Sequence, residues 1–151
     1  MNQNPVTFTS GDNSEVEAFL ADRIYKFNSK ATGYFDGESF SATRRTASGA
    51  IIAGISGYSW GGCCYVAGLW VDEAERGRGL GSALLLAAED HAKERDCGVA
   101  LLETHSFQAP AFYERRGYEK QSCVPDHPVG YSSMVYAKRL QPDVAAPAVD
   151  R

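Results

Sequence analysis

Residues 69–82 read LWVDEAERGRGLGS, and this stretch decides how the rest of the chain is interpreted. An apolar segment ends at Val71, and a helical pattern of apolar residues begins at Leu80, so a glycine-rich turn joins a strand to a helix. The first turn of a helix leaves backbone N–H groups unpaired and carries partial positive charge. The glycines allow that backbone to curve closely around an anion. The stretch therefore predicts a binding site for a pyrophosphate.

Several kinds of glycine-rich turn compete for this segment. A nucleotide-binding P-loop requires a lysine before the Ser or Thr at the helix start, and Leu80-Gly81-Ser82 has none. A dinucleotide-binding turn requires G-x-G-x-x-G directly after the first strand. Here the spacing is G-x-G-x-G, and residues 72–75 intervene, which disfavours a nicotinamide or flavin oxidoreductase. An ordinary turn before a helix is the remaining structural alternative.

The pattern on both sides of the turn predicts a strand, a helix and a strand. Residues 63–71 are apolar on both alternating faces, so this strand should be covered on both sides, and Gly68 within it indicates a bulge. A helix over 80–95 should face inward with Leu80, Ala83, Leu84, Ala87 and Ala88, and a second buried strand follows at 99–104. This order within so few residues predicts parallel neighbours joined by a right-handed crossover.

The remaining elements follow from periodicity and turn residues. At the N-terminus, a short strand is expected before a helix, where Ser14 and Glu17 have the spacing of a capping box. One face of that helix carries Val16, Phe19, Leu20, Ile24 and Phe27. Further strands are expected at 5–10, 38–46, 50–59, 118–122 and 131–140, with a short helix at 109–116. We therefore expect one α/β domain with a mixed sheet over 1–140 and a flexible tail over 141–151.

Composition excludes several classes of protein. The 151 residues are 44% hydrophobic and 23% charged, as in a globular domain. The net charge of -4, without a stripe of Lys and Arg, argues against a nucleic-acid partner. The apolar runs are too short for a membrane span, and the chain opens without an apolar leader, so we expect a cytoplasmic protein with no membrane partner. Four cysteines without a C-x-x-C pair are expected to be free thiols, with no metal.

A second segment, together with the glycine-rich turn, supports a resemblance to a known family. It reads Ala109-Pro110-Ala111-Phe112-Tyr113-Glu114-Arg115-Arg116-Gly117-Tyr118. It is similar to the A-x-x-F-Y-x-x-x-G-F/Y segment of the GNAT N-acetyltransferase superfamily. Residues 107–110 ahead of it, and the ending over 128–140, are similar to one bacterial single-domain subgroup. Arg76, Gly79 and Gly81 match that family's acyl-coenzyme A loop, R/Q-x-x-G-x-G/A. The resemblance implies the GNAT fold: a mixed, mostly antiparallel sheet with a parallel central strand pair and flanking helices.

The resemblance also implies which residues contact acetyl-coenzyme A, the acetyl donor. Backbone N–H groups of the turn hold the pyrophosphate, and a backbone N–H of the central strand faces the thioester oxygen. Two positions depart from the family pattern. Many members have proline where this chain has Glu73, and asparagine where it has Ser106. The implied donor-binding residues are Leu69, Trp70, Val71, Arg76, Gly77, Arg78, Gly79, Leu80, Gly81, Ser82, Ser106 and Phe112.

Formation of an amide from a thioester requires a neutral amine, an oxyanion donor and a proton for the departing thiolate. Tyr113 matches the family tyrosine beside the thioester sulfur, and we predict it to be the general acid. For the general base we place Glu103 first, Glu73 second and His105 third, with a chain of waters as the alternative. Aromatic walls and negative charge for an ammonium group are expected from Tyr34, Phe35, Asp36 and Glu38, unless these form an ordinary solvated loop.

The resemblance thus implies an enzyme of the acyltransferase class (EC 2.3.1) that acetylates a primary amine of a small molecule by direct attack. Acetylation of a protein or peptide amine is the nearest alternative. A non-catalytic sensor of acyl-coenzyme A is a different class, and the tyrosine at 113 favours an enzyme. Exposed edge strands would allow a homodimer.

Overall fold

The computed structural model describes residues 5–140, and these divide into two compact units between Phe35 and Asp36. The first unit is built around one helix, and the second contains a six-stranded sheet with the remaining helices. The tail predicted for 141–151 lies outside the described residues.

The first unit contains helix α1, Ser14–Thr32, which ends at Gly33 in the left-handed conformation with φ 80°. Two predictions for this unit are wrong. Residues 5–10 form no strand, since their alternating pattern finds no partner strand to pair with. The capping box is absent, because Asn13 is the N-cap residue and Ser14 is already helical. The backbone N–H of Ser14 instead donates to Asp12 Oδ1 at 3.0 Å. The apolar side chains of α1, including Phe19 and Phe27, are largely exposed.

The second unit is a mixed sheet in the order β1-β2-β3-β4-β6-β5. Only β3 and β4 run parallel, and every other neighbouring pair is antiparallel. This arrangement confirms the predicted fold class. The strands are β1 Glu38–Arg45, β2 Ile51–Trp60, β3 Cys63–Val71, β4 Val99–His105, β5 Glu119–Pro125 and β6 Ser132–Arg139. The helices are α2 Leu80–Glu94 and α3 Pro110–Glu114, and a single 3₁₀ turn covers Glu73–Glu75.

The two parallel strands separate towards their C-terminal ends. Their ladder pairs Cys63 with Val99 and ends where Val66 faces Leu102, although β3 and β4 both continue beyond this point. On its other side β3 stays paired to β2, with a register shift between Ser56 and Gly57 that leaves one extra residue in β3 next to Gly68. The expected bulge is therefore present. A wedge-shaped opening follows between β3 and β4.

Helix α2 covers one face of the sheet and supplies much of the core. Leu84 and Ala88 are buried as predicted, but Ala83 and Ala87 are exposed, and Leu85 and Ala92 are buried instead. β3 also differs from the prediction, since Cys64 and Val66 are buried while the opposite face is only half-buried. One acidic side chain, Glu89, lies in this core at 5% exposure; it accepts hydrogen bonds from Tyr118 Oη at 3.0 Å and Lys138 Nζ at 2.8 Å.

Arg95 joins three segments at the end of the sheet where β3 and β4 begin. Its Nε donates to Ser59 Oγ at 2.6 Å, and Nη1 pairs with Glu38 Oε2 at 3.0 Å. Its Nη2 donates to the backbone carbonyl of Asp36. The carboxylate of Asp36 accepts the backbone N–H of Gly61 at 3.0 Å. Arg95, just before β4, therefore ties this end of the sheet to β1 and β2 through charged and polar contacts.

Candidate active site

The N-terminus of α2 opens into a cleft of about 470 Å³. Gly79 is the N-cap residue, with φ 79° and no side chain to cap the helix, and the first turn contains no acidic residue. The first helical hydrogen bond joins the N–H of Ala83 to the carbonyl of Gly79 at 3.0 Å. The three N–H groups before Ala83 therefore lack an intrahelical acceptor. This is the geometry in which a helix binds a phosphate.

Arginines from α3 and the glycine-rich turn give this cleft positive charge. Arg76, Arg115 and Arg116 line it, together with one acidic residue, Glu75. The Arg116 guanidinium donates to Ser82 Oγ and, at 2.7 Å, to the carbonyl of Phe112. The cleft thus combines unpaired N–H groups with guanidinium groups, which is a donor set suited to a diphosphate.

Space in the cleft depends on the absence of a side chain at Gly81. A Cβ atom there would lie 3.4 Å from the Phe112 ring, at the close limit of ordinary van der Waals contact. Phe112 and Tyr113 stand nearly perpendicular, with ring centroids 5.1 Å apart. Helix α3 thus places one aromatic ring against the turn and the next towards the opening between the parallel strands.

A second cleft, of about 550 Å³, occupies the opening between β3 and β4. Gly68, Trp70, Glu103 and Thr104 line it. It shares five lining residues with the first cleft: Leu69, Val71, Arg76, Ala109 and Tyr113. The two clefts therefore meet at the splayed strands, and Tyr113 borders both.

Tyr113 is protonated in the neutral pH range. Its side chain is 9% exposed, and burial raises the pKa of its hydroxyl above the ordinary tyrosine value. Tyr118 stands edge-on to it at 5.8 Å between ring centroids. A buried phenol at the junction of two clefts can donate its proton to a leaving group.

Acidic and imidazole side chains gather at the C-terminal end of β4. Glu103 Oε1 accepts a hydrogen bond of 2.5 Å from Ser133 Oγ on β6. The ring of His105 stacks on that of His127, which lies between β5 and β6, with centroids 5.5 Å apart. One oxygen of Glu103 and one nitrogen of each histidine all lie within 4.8 Å of one another. Proton acceptors are thus available on the side of the second cleft away from the glycine-rich turn.

Comparison with known proteins identifies the family to which this chain belongs. The acetyltransferase (GNAT) family model matches residues 10–118. The chain belongs to the GNAT acetyltransferase family. A blasticidin-S acetyltransferase of Streptomyces morookaense is 41% identical over 93 residues, which are 61% of this chain and 68% of that relative. The crystal structure of an acetyltransferase from Bacillus cereus matches at 31% identity and a TM-score of 0.74, covering 88% of this chain and 97% of the other.

A more distant structure shows the same fold with a donor bound. This Bacillus anthracis protein, assigned as a streptothricin acetyltransferase, was solved in complex with acetyl coenzyme A. It is 21% identical, with a TM-score of 0.59, and the match covers 67% of this chain and 62% of the other. The predictions of the GNAT family, of its fold and of an acetyltransferase enzyme are thus confirmed.

Most donor-binding residues predicted for the acetyltransferase lie along the two clefts. Trp70 lines the second cleft, and Arg78 and Ser106 line neither. Arg78 is paired at 3.0 Å with Glu75, which itself lines the first cleft, and Ser106 Oγ accepts the N–H of Ser132 at 3.0 Å. The others line the first cleft: Leu69, Val71, Arg76, Gly77, Gly79, Leu80, Gly81, Ser82 and Phe112.

Several predicted catalytic and substrate residues lie away from the clefts. Glu73 is exposed on the 3₁₀ turn and lines neither cleft, although Glu75 at the end of the same turn lines the first. The Asp36 carboxylate is bound by the N–H of Gly61 and Glu38 is paired with Arg95, at the end of the sheet opposite the clefts; neither residue lines a cleft, and their role in substrate binding stays a prediction. Tyr34 and Phe35 belong to the first unit and line neither cleft, so their role stays a prediction.

The structure adds residues that the sequence did not single out. Arg115 and Arg116 enter the first cleft from the end of α3, and their adjacency to a helix-ending glycine was the available signal. His127 joins Glu103 and His105 only through the pairing of β5 with β6, and no local spacing indicates this.

The four cysteines are free thiols, as expected, and play no part in the clefts. Cys63, Cys64 and Cys97 are half-buried or buried, and burial raises the pKa of each. For Cys64 the pKa reaches about 12. Cys123 is exposed on β5. Among residues 5–140, no helix has the length and apolarity that a membrane span requires.

Proposed function

We propose that this acetyltransferase moves the acetyl group of acetyl-coenzyme A onto a primary amine of a small molecule by direct attack. The observation that carries the proposal is the meeting of two clefts at Tyr113. One cleft has the donor set for a diphosphate, and the other ends at proton acceptors. An acyl donor and an amine entering from opposite sides would meet beside the phenol.

The residues of the first cleft fit the donor. Acetyl-coenzyme A supplies an acetyl thioester at the end of a long arm that begins at a diphosphate. The unpaired N–H groups of residues 80–82 and the guanidinium groups of Arg76 and Arg116 would hold that diphosphate. The arm would then follow the shared wall of Leu69 and Val71 into the splayed region.

The splayed strands supply the electrostatic part of the chemistry. Beyond Val66 and Leu102 the parallel ladder has ended, so main-chain N–H groups on that edge of β3 have no β4 partner. An N–H group directed at the thioester oxygen stabilises the negative charge that develops there. Such groups are worth several kcal/mol where water is excluded, about 2.7–4 kcal/mol for one donor. The bulge beside Gly68 orients this stretch of β3.

Proton transfer is assigned to two side chains. Glu103 is the general base, because it lines the second cleft and one of its oxygens is oriented by Ser133. Tyr113 is the general acid, because burial keeps it protonated. As the amine nitrogen bonds to the acetyl carbon, the carbon–sulfur bond breaks. Tyr113 protonates the thiolate, and Glu103 takes a proton from the amine.

The small-molecule class rests on the blasticidin-S acetyltransferase, whose name gives its substrate. The proton acceptors at the end of β4, Glu103, His105 and His127, are exposed or half-buried, so a small amine in solution can reach them in the folded protein.

Calorimetry and a thiol-release assay test the proposal in sequence. Purified protein should bind acetyl-coenzyme A and not NAD, and should then release thiol with one or more of blasticidin S, n-pentylamine and a lysine-ended peptide. Because exposed Cys123 reacts with thiol reagents, the assay uses the Cys123→Ser variant. The proposal is wrong if millimolar acetyl-coenzyme A does not bind. Donor binding without turnover would indicate a sensor, and turnover of the peptide alone would indicate a protein-modifying enzyme.

A further inference from the structure

Glu103, His105 and His127 form a cluster, here the Glu-His-His cluster, to which two separate parts of the chain contribute. Glu103 and His105 are alternate residues of β4 and therefore lie on the same side of the sheet. His127 comes from the connection between β5 and β6. Glu103 also lines the second cleft, so the cluster is continuous with the proposed acceptor side of the active site.

Hydrogen bonds hold each member in place. Ser133 occupies one oxygen of Glu103 and leaves the other available. Gln108 Oε1 accepts the backbone N–H of His105 at 2.9 Å and lies 3.3 Å from its Nδ1. A proton on Nδ1 satisfies this contact, which leaves Nε2 as an acceptor. The connection carrying His127 is closed by the N–H of Tyr131, which donates to the carbonyl of Pro128 at 2.9 Å.

The spacing of the cluster suits an ammonium group. Three acceptors around one tetrahedral nitrogen, each in an ordinary hydrogen bond, stand about 4.6 Å apart. The three ligand atoms of the cluster lie within 4.8 Å of one another. A limit of 4.8 Å on these separations is compatible with an ammonium group bound between the three ligand atoms.

Aromatic rings flank the same position. His105 stacks on Phe107 with centroids 5.2 Å apart, and Phe107 meets Tyr131 edge-on at 5.1 Å. Phe107 and Tyr131 are 54% and 52% exposed, so their rings are open to a ligand. The faces of exposed aromatic rings attract cations and cover apolar carbon atoms. They offer a surface for the body of an amine whose charged end reaches the cluster.

We propose that the Glu-His-His cluster is the recognition site for the ammonium group of the acceptor, and that His127 is a substrate-contacting residue. This inference rests on the proposed function. The three N–H donors of a primary ammonium bond to Glu103, His105 and His127. One proton passes to Glu103, and the neutral amine then turns so that its lone pair faces the acetyl carbon. As the carbon–nitrogen bond forms, the carbon–sulfur bond breaks, and the second proton lost by the nitrogen replaces the one that Tyr113 gives to the thiolate.

Steady-state kinetics on the His127→Ala variant test the inference. With the amine that wild-type protein turns over, KM for the amine should rise at least tenfold, while KM and Kd for acetyl-coenzyme A stay unchanged. Val129→Ala is the matched control, because Val129 lies in the same connection, is 85% exposed and is outside the cluster. It should behave as wild type.

A binding measurement that needs no turnover is available from NMR. The chain has three histidines, so ring signals of His91 serve as an internal reference away from the cluster. Titration with n-pentylamine at neutral pH should shift the ring signals of His105 and His127, and n-pentanol should not.

The outcomes separate this inference from the proposed function. If wild-type protein turns over an amine and His127→Ala has the same KM for it, the cluster does not recognise the ammonium and the inference fails alone. Equal shifts with n-pentylamine and n-pentanol also overturn it. If wild-type protein neither binds acetyl-coenzyme A nor turns over, the proposed function fails first.

Discussion

The guanidinium of Arg116 lies over the ring of Phe112, with its central carbon 3.6 Å from the ring centroid. The same group donates to Ser82 on the first turn of α2, so one side chain joins α3 to the anion-binding end of α2. A planar, permanently charged group is suited to stacking and to anion recognition at once. Arg116 is therefore a structural and an electrostatic part of the donor cleft.

Replacing Arg116 should weaken donor binding. We expect Arg116→Ala to raise the Kd for acetyl-coenzyme A by about tenfold or more, since a hydrogen bond to a charged group is worth about 1.5–3 kcal/mol. The Kd of Arg116→Lys should lie between those of wild type and Arg116→Ala, because lysine keeps the charge but loses the stacked, two-pronged geometry. Isothermal titration calorimetry measures both. Arg44→Ala, on exposed β1, is the control, and equal Kd values for it and Arg116→Ala would contradict the assignment.

Replacing Tyr113 should slow the chemical step without affecting donor binding. Tyr113→Phe keeps the ring contacts with Phe112 and Tyr118 but removes the proton donor. We expect kcat to fall by about 100-fold, the lower end of what general acid catalysis contributes. Thiol release at saturating substrates gives kcat, and calorimetry should show an unchanged Kd for acetyl-coenzyme A. Full turnover by Tyr113→Phe across the pH range would remove Tyr113 from the mechanism.

Gly57 should tolerate no side chain, because it lies at the register shift between β2 and β3. A Cβ atom there would be 2.0 Å from the backbone oxygen of Tyr65 and 2.8 Å from the Phe40 ring. We expect Gly57→Ala to lower the free energy of unfolding by about 2–3 kcal/mol, as overpacked sites do. Urea denaturation measures this.

Gly54 provides the matched control on the same strand. A Cβ atom at Gly54 would meet its nearest neighbour at 3.5 Å, which is an ordinary contact. Gly54→Ala should therefore stay within about 1 kcal/mol of wild type, with a gain expected from lower chain entropy in the unfolded state. Equal losses from both variants would show that the bulge tolerates a side chain.

Stability should decline at alkaline pH partly through Tyr136. Burial and a 2.7 Å hydrogen bond to Glu114 raise the pKa of Tyr136 to about 12. The unfolded chain ionises this group near pH 10, while the folded chain keeps its proton. The stabilising contribution is therefore complete below pH 10 and is lost as pH rises from 10 to about 12, by up to 1.4 kcal/mol per pH unit.

The Tyr136→Phe variant isolates that contribution. It should be less stable at neutral pH, because a buried hydrogen bond is lost, but its free energy of unfolding should fall less steeply above pH 10. Urea denaturation at pH 8 to 11.5 on both proteins gives the two slopes. Identical slopes would mean that Tyr136 has the same pKa in the folded and unfolded chains.

The elements around the donor cleft could be predicted because their signals are local. Period-two and helical patterns place β3, α2 and β4 within one or two residues of their observed bounds. A glycine-rich turn between a strand and a helix carries its own physical meaning, since the unpaired N–H groups arise from helix geometry alone. The parallel pairing of β3 with β4 then follows from the short crossover between them.

The acceptor side was harder to predict because it depends on pairing between distant segments. Asp36 and Glu38 have the charge of substrate residues, but the N–H of Gly61 binds the Asp36 carboxylate, and Arg95, 57 residues further along the chain, pairs with Glu38. His127 reaches Glu103 only through the order β4-β6-β5. Residues 5–10 alternate as a strand does, but a strand requires a partner, which their own sequence cannot specify.

The contacts of Arg95 have a consequence for motion. They lie at the end of the sheet where the parallel ladder is intact, whereas the strands beyond Val66 and Leu102 have no direct ladder between them. Any widening on ligand entry must then pivot about the Arg95 end and be greatest near Val71 and His105. Substrate size would accordingly depend on how rigidly that end of the sheet is held, and a substitution at Arg95, which removes its contacts with Ser59 and Glu38, would broaden the range of amines accepted.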